Sequence, residues 1–304
     1  MHLSDIVKRG YDFSFEIIPP RNGTSIRDVY GIIDSIVEFK PAFISVTHGA
    51  GGSLRGGTAG IARLLKEHYN IESLAHLTCA TLSKQNLENR MMDLRYLEIE
   101  NILALRGDVP EGEKDYLPGE HMHAEELVKQ IRLMNEGFYL DRKDESKLVK
   151  GENANFCIAV AGYPEGHRYC KDLRKDIDYL KRKVDQGADF IITQMVFDVS
   201  IYNSFVELCS NAGINVPIIP GVMPIRSLKQ IAALESKFSV TVPDRIKDEM
   251  KRYPKEDMEK IGIINTVQLM SELKSIAKGL HVYTMNNIDI IKKTIDYYNF
   301  IFSA

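Results

Sequence analysis

Eight short runs of apolar, often β-branched residues recur along the chain, and segments of helical spacing separate them. This alternation leaves few folds open. The runs are Phe13–Ile18, Ala42–Val46, Leu74–Leu77, Ile102–Leu105, Cys157–Ala161, Phe190–Thr193, Val216–Ile219 and Leu280–Tyr283. Between them, sets such as Ile32, Ile33, Ile36 and Val37, or Leu173, Ile177, Leu180 and Val184, mark one apolar helix face flanked by charged positions. Strands that are apolar on both faces need cover on both, so the pattern predicts a parallel sheet wrapped by helices. Eight repeats in 304 residues predict the closed form, an α/β eight-stranded parallel β/α (TIM) barrel. No G-x-G-x-x-G follows the first run, as a dinucleotide-binding open sheet would require. Two connections are long, Asp108 to Asn155 and Gly221 to Lys278. Neither is rich in Gly, Pro and Ser, so both read as elaborations with extra helices on one domain, residues 1–304, rather than as linkers.

Composition removes several classes of function. Lys and Arg number 39 against 42 Asp and Glu, a net charge of −3 with no basic excess to draw the chain to nucleic acid or acidic lipid. No apolar stretch approaches the ~18 residues of a membrane span. Asp5, Lys8 and Arg9 stand where a signal peptide would carry its apolar segment. Cys79, Cys157, Cys170 and Cys209 lie far apart without a C-x-x-C pair, which fits reduced thiols in a cytoplasmic protein.

In a barrel of this kind the chemistry sits at the C-terminal ends of the strands, so the residues there form a candidate site. Glu16 lies within SFEIIPP, and Thr47-His48-Gly49-Ala50-Gly51-Gly52 follows the second run. His76 and Thr78 belong to the third, Arg106-Gly107-Asp108 follows the fourth, and Tyr163-Pro164-Glu165 with His167 follows the fifth. Gln194 and Asp198 belong to the sixth; Tyr283-Thr284 and Asn286 close the eighth. Each has a plainer reading beside the functional one. Glu16 could serve a structural ion pair, Asp108 could cap a turn, His76 could be a satisfied core histidine, and the glycine run could be only a turn. His121 and His123 have the spacing of metal ligands in some β-structures, but without a strand-end carboxylate beside them no metal is expected.

The strings SFEIIPP, SVTHGAGG, HLTC, ALRGD, GYPEGH, LKRKVDQGADFIITQMVFD, IIPGVMP and HVYTMN, in that order from about residue 10 to 290, resemble the successive signatures of methylenetetrahydrofolate reductases in their short bacterial form. The resemblance implies a barrel that binds FAD without a Rossmann glycine motif and has no C-terminal regulatory domain. It implies a relay in which NADH or NADPH reduces FAD and leaves, after which 5,10-methylenetetrahydrofolate takes the hydride and becomes 5-methyltetrahydrofolate for methionine supply. Glu16 matches the family's general acid, and burial among apolar strand neighbours would keep its proton available. Asp108 matches the second carboxylate, which sits near the flavin and binds the pterin ring.

The flavin contacts carry over to Thr47, His48, Ala50, His76, Arg106, Gly107, Asp108, Ala124, Tyr163, His167, Asp176, Arg182 and Lys183. Asp176 and Lys183, two turns apart on one helix face, would reach a ribose hydroxyl and the pyrophosphate. An ordinary solvated face is the plainer alternative. The folate contacts carry over to Glu16, Thr47, Asp108, Gln194, Leu228 and Asn287, with Gln194 shared by nicotinamide and folate. Two positions depart from the pattern. His48 stands where relatives often carry an aromatic such as Tyr, and Asn287 stands where many bacterial relatives have an Arg that holds the folate's glutamate tail. By analogy a homo-oligomer is expected, and the apolar positions of Ile288–Phe302 would pack on the barrel or on a neighbour. Two rivals remain at this level: a pterin- or sugar-binding barrel lyase using the same carboxylates without a redox cofactor, and a non-catalytic subunit of a larger complex.

Overall fold

The computed structural model describes residues 1–49, 56–108, 118–170 and 172–302. Helix α1 (Leu3–Arg9) precedes β1 (Phe13–Ile17), α2 (Arg27–Val37), β2 (Ile44–Val46), α3 (Thr58–Tyr69), β3 (Ser73–Thr78), α4 (Lys84–Tyr96) and β4 (Asn101–Leu105). Next come α5 (Ala124–Asn135), the short strands β5 (Phe138–Leu140) and β6 (Leu148–Lys150), β7 (Cys157–Gly162), α6 (Leu173–Asp185), β8 (Phe190–Met195) and α7 (Val199–Asn211). The chain ends through β9 (Ile218–Val222), α8 (Leu228–Phe238), α9 (Asp244–Lys251), α10 (Met258–Lys274), β10 (Leu280–Tyr283) and α11 (Ile288–Phe302). Eight parallel strands close in the order β1, β2, β3, β4, β7, β8, β9, β10 and back to β1, as the alternation predicts.

Side chains alternate across each strand and sort the residues into two cores. Phe13, Phe15, Ile17, Ile44, Val46, Ala75, Ile102, Ile158 and Val160 point outward and pack with the helices. Phe43, Leu74, Leu103, Cys157, Ala159, Phe190, Ile192 and Ile219 fill the lower barrel interior, together with Leu3 and Val7 of α1. Helix α1 thus plugs the N-terminal end, and Asn101 holds it there by accepting from the Leu3 N–H at 2.8 Å. Above that apolar floor the same inward positions turn polar. His281 bonds Ser14 Oγ through Nδ1 at 2.9 Å and Ser45 Oγ through Nε2 at 3.3 Å, and stacks on Phe43.

The connection from β9 to β10 holds α8, α9 and α10, the extra helices expected there. They enclose a satellite core of Met195, Phe197, Met223, Ile225, Ile231, Leu234, Val242 and Met250 beside the barrel mouth. The connection from β4 to β7 differs from expectation. Among its described residues it carries only α5, the helix that this repeat would hold in any case, and an antiparallel hairpin of β5 and β6. Phe138-Tyr139-Leu140 pairs with Leu148-Val149-Lys150, while Asp141 and Asp144 accept backbone N–H bonds from Lys143 and Ser146 and bend the charged stretch between them into turns. Helix α11 buries Ile290, Ile291, Thr294 and Ile295 against the barrel's own α10 and α2. No described helix is long and apolar enough to cross a membrane.

Candidate active site

The inward alternation of β1, β2, β3, β8 and β10 delivers Glu16, Thr47, His76, Thr78, Gln194, His281 and Tyr283 to one cavity of about 220 Å³ at the C-terminal mouth. His48, Gly49, Gly107 and Asp108 complete its rim, and Met195, Phe238 and Met285 form an apolar side. Of the polar members, His281 was not singled out in the sequence, and Phe238 and Met285 carried no signal of their own.

Glu16 faces this cavity with 12% of its side chain exposed. Burial pushes its pKa up from 4.5 to about 8, because the low-dielectric surroundings disfavour the anion. His76 Nε2 lies 3.8 Å from Glu16 Oε2. The two do not form an ion pair: burial, then His281 and His48, push His76 down to about 3, so a neutral imidazole stands beside a protonated carboxyl. At that distance there is no hydrogen bond either. His76 Nε2 and Thr47 Oγ1 are both buried without a hydrogen-bond partner, among the described residues, and both line the mouth. Unsatisfied buried polar atoms on a cavity wall mark where a polar ligand would complete them.

Loop closure holds the backbone of Glu16 in place. Thr284 Oγ1 donates to the Glu16 carbonyl at 2.6 Å, and Asn286 both accepts from Ile18 N–H at 2.9 Å and donates to Ile18 C=O at 2.7 Å. Met285 and Asn286 adopt positive φ to make this strap. Gln194 enters the mouth through a register irregularity between β8 and β9 at Ile192 to Met195. Thr193 beside it accepts Gly221 N–H on its hydroxyl and Tyr283 O–H on its carbonyl, at 3.0 and 2.7 Å. A Cβ on Gly221 would collide with the Tyr283 ring and the Thr193 carbonyl, so this close approach requires glycine.

A second cavity, also about 220 Å³, runs from the mouth toward α5 and α6 and shares Leu105, Ala161 and Tyr163 with the first. Arg106, Ala124, His167, Asp176 and Lys183 line it, and His123 and Tyr179 add an aromatic wall with rings 6.0 Å apart. Tyr179 was missed, although its place between Asp176 and Lys183 on one helix face was legible. Lys183 Nζ donates to the Ala161 carbonyl at 2.6 Å, and burial pushes its pKa down to about 8. Asp176 is also buried, which raises its pKa, partly offset by Lys183.

Some expected residues stand elsewhere. Arg182 is 59% exposed and turns toward Glu125 at 3.8 Å, outside the cavity lining. Leu228 packs against the satellite core rather than lining the cleft; Phe238 at the other end of α8 meets the mouth instead. Asn287 lines a third cavity, of about 230 Å³, that adjoins the mouth through Phe238, Tyr283 and Met285 and carries Arg226 and Lys237. Ala50 lies outside the described residues. His121 is tied to Gln130 at 2.7 Å, and the Glu126 carboxylate accepts from His123 N–H at the start of α5.

Comparison with known proteins fits this geometry. Residues 3–299 match the family model for methylenetetrahydrofolate reductase. The chain belongs to the methylenetetrahydrofolate reductase family. It is 33% identical over 281 residues to 5,10-methylenetetrahydrofolate reductase of Escherichia coli, covering 91% of this chain and 87% of that protein. It is 34% identical over 297 residues to methylenetetrahydrofolate reductase 1 of Schizosaccharomyces pombe. That match takes in 95% of this chain but 46% of the yeast protein, so the chain spans about half the length of such relatives. In fold it is similar to a Clostridium thermocellum protein described as binding two copies of 5-methyl-5,6,7,8-tetrahydrofolic acid, with a TM-score of 0.54, 14% identity and 97% and 98% of the two chains covered.

Proposed function

We propose that this chain reduces 5,10-methylenetetrahydrofolate to 5-methyltetrahydrofolate with electrons from NADH or NADPH, using FAD, as a self-associating cytoplasmic enzyme of methionine supply. The observation that carries the reading is a buried Glu16, its pKa pushed up to about 8 by desolvation, facing the same mouth as Asp108. Opening the five-membered ring of the folate requires a proton on the departing nitrogen and leaves a cationic iminium. Glu16 holds that proton at a carboxyl oxygen, and the Asp108 carboxylate supplies negative charge near the cation. Gln194, with an amide that both donates and accepts, suits nicotinamide and pterin edges alike. Met195, Phe238 and Met285 keep water from the reacting face.

The two joined cavities suit FAD. The orphaned Thr47 Oγ1 and His76 Nε2 offer polar partners at the mouth, and Gly107, at φ +88°, lets backbone come close because a Cβ there would lie 2.8 Å from Thr78 Cβ. Arg106, His167 and Lys183 offer donors to a pyrophosphate along the second cavity, with Asp176 as an acceptor for a ribose hydroxyl. Bound FAD would carry a hydride from the nicotinamide to the folate's methylene carbon.

The test is an anaerobic visible spectrum of the protein with FAD, followed by NADH or NADPH and then by methylenetetrahydrofolate. A flavin band that bleaches with the pyridine nucleotide and returns with the folate is expected. A protein that binds no FAD and stays colourless overturns the redox reading in favour of a lyase or a non-catalytic subunit. A narrower prediction concerns Asp108→Asn. Removing a negative charge beside the flavin should raise its reduction potential and slow the folate step by roughly tenfold or more. A potential equal to that of the parent would exclude Asp108 from the flavin's surroundings.

A further inference from the structure

His48 is held from two sides. Its Nδ1 lies 2.9 Å from Thr78 Oγ1 of β3, and its Nε2 lies 2.7 Å from the guanidinium of Arg90 on α4. A guanidinium can only donate, so Nε2 must present its lone pair. The proton of a neutral ring is then on Nδ1, where it is donated to the Thr78 hydroxyl. Arg90 makes no salt bridge among the described residues, so its charge is spent on an uncharged ring rather than on a carboxylate. The arrangement continues into the mouth, because Thr78 packs against Gly107 and Gly107 adjoins Asp108.

We propose that Arg90 is a positioning residue of this site: by donating to Nε2 it locks His48 as the neutral Nδ1–H ring, whose proton goes to the Thr78 hydroxyl on the cavity wall. The proposal rests on the folate-reducing reading given above and adds to it a residue outside the sequence motifs. A protonated His48 would need to donate from Nε2 into the face of a guanidinium, placing two donors and two positive charges in contact. The other groups facing His48 do not supply the lock. Thr78 and His76 of β3 are neutral, Glu16 of β1 is protonated, and Asp108 across the rim would favour His48 protonation rather than oppose it. In keeping with this, burial first and Arg90 second push His48 down from 6.5 to about 4.

The experiment is ring nitrogen NMR of the full-length protein labelled with ¹⁵N-histidine, the His48 signals being assigned by their loss in His48→Gln. The wild type should show His48 as the Nδ1–H tautomer with a midpoint near 4. Arg90→Met should raise that midpoint by roughly one unit, and Arg90→Lys, which keeps the charge, should restore most of the depression. An Nε2–H tautomer in the wild type, or a midpoint that Arg90→Met leaves unchanged, would overturn the lock. The NMR measurement needs no turnover, so failure of the folate reading would show separately, as a wild-type enzyme that never reoxidises with folate.

Discussion

Glu16→Gln should still allow NADH or NADPH to bleach the flavin, yet its reoxidation by methylenetetrahydrofolate should fall by roughly 10²- to 10⁴-fold, the range that a lost general acid costs. The amide preserves the shape of the side chain and removes only its transferable proton. Stopped-flow absorbance of the two half-reactions under anaerobic conditions separates them, and loss of both together would reject the acid role. In the wild type the folate half-reaction should decline as pH rises through about 8, where Glu16 ionises, while the nicotinamide half-reaction should not follow that limb. The same group sets a stability cost with a definite sign. Its folded-state pKa, about 8, exceeds the unfolded 4.5, so the folded state holds a proton that the unfolded chain has released across that interval. Stability is therefore greatest below about pH 4.5 as far as Glu16 is concerned, and it drains away as pH rises to about 8. Glu16→Gln escapes this cost and should be more stable than the parent by up to about 2 kcal/mol at pH 7, with little difference at pH 4. Thermal melts at the two pH values check the sign. A carboxyl buried for catalysis makes exchange of stability for activity the expected pattern.

Gly262→Ala should destabilise the protein by about 3 kcal/mol, opposite to the usual effect of alanine in a helix. Gly262 lies inside α10, where alanine is ordinarily favoured over glycine by about 1 kcal/mol. Here an added Cβ would stand 2.7 Å from the Ile225 carbonyl carbon and closer still to its oxygen, both backbone atoms that cannot swing aside. Thr266, one turn on, accepts the Ile225 N–H, so helix and loop are bound to each other on this side. Separating them would also loosen the satellite core that supports Phe238 at the mouth. Gly31→Ala on α2 is the control. Its Cβ would meet nothing within 4 Å, so it should raise stability by about 0.5 to 1 kcal/mol. Chemical denaturation of the three proteins should order them Gly31→Ala, parent, Gly262→Ala; any other order rejects the packing argument.

Much of the barrel was legible because its signal is local. Apolar runs such as Cys157–Ala161 and helix faces such as Leu173, Ile177, Leu180 and Val184 report their state within a few residues, and eight repeats with no Rossmann glycines leave little besides a closed sheet. The β5 and β6 hairpin was overlooked for a related reason: charged residues between Asp141 and Glu152 mask two three-residue strands too short for period to reveal. Glu16, His76, Asp108 and Gln194 could be placed at strand ends because position along a strand follows directly from the sequence. Leu228 could not be placed well, since the direction of a side chain on an inserted helix depends on how that helix docks.

By itself, then, the sequence determined the repeating β/α architecture, the layer in which the polar residues lie and the family to which the chain belongs. Only the tertiary structure decided the state of those residues. That Glu16 keeps its proton, that His76 stays neutral beside it, and that Arg90 reaches His48 across 42 positions of chain all depend on distances and on exclusion of water. Electrostatic energies in a low-dielectric site vary with separation and burial, and neither is encoded in the neighbours that a residue has along the chain.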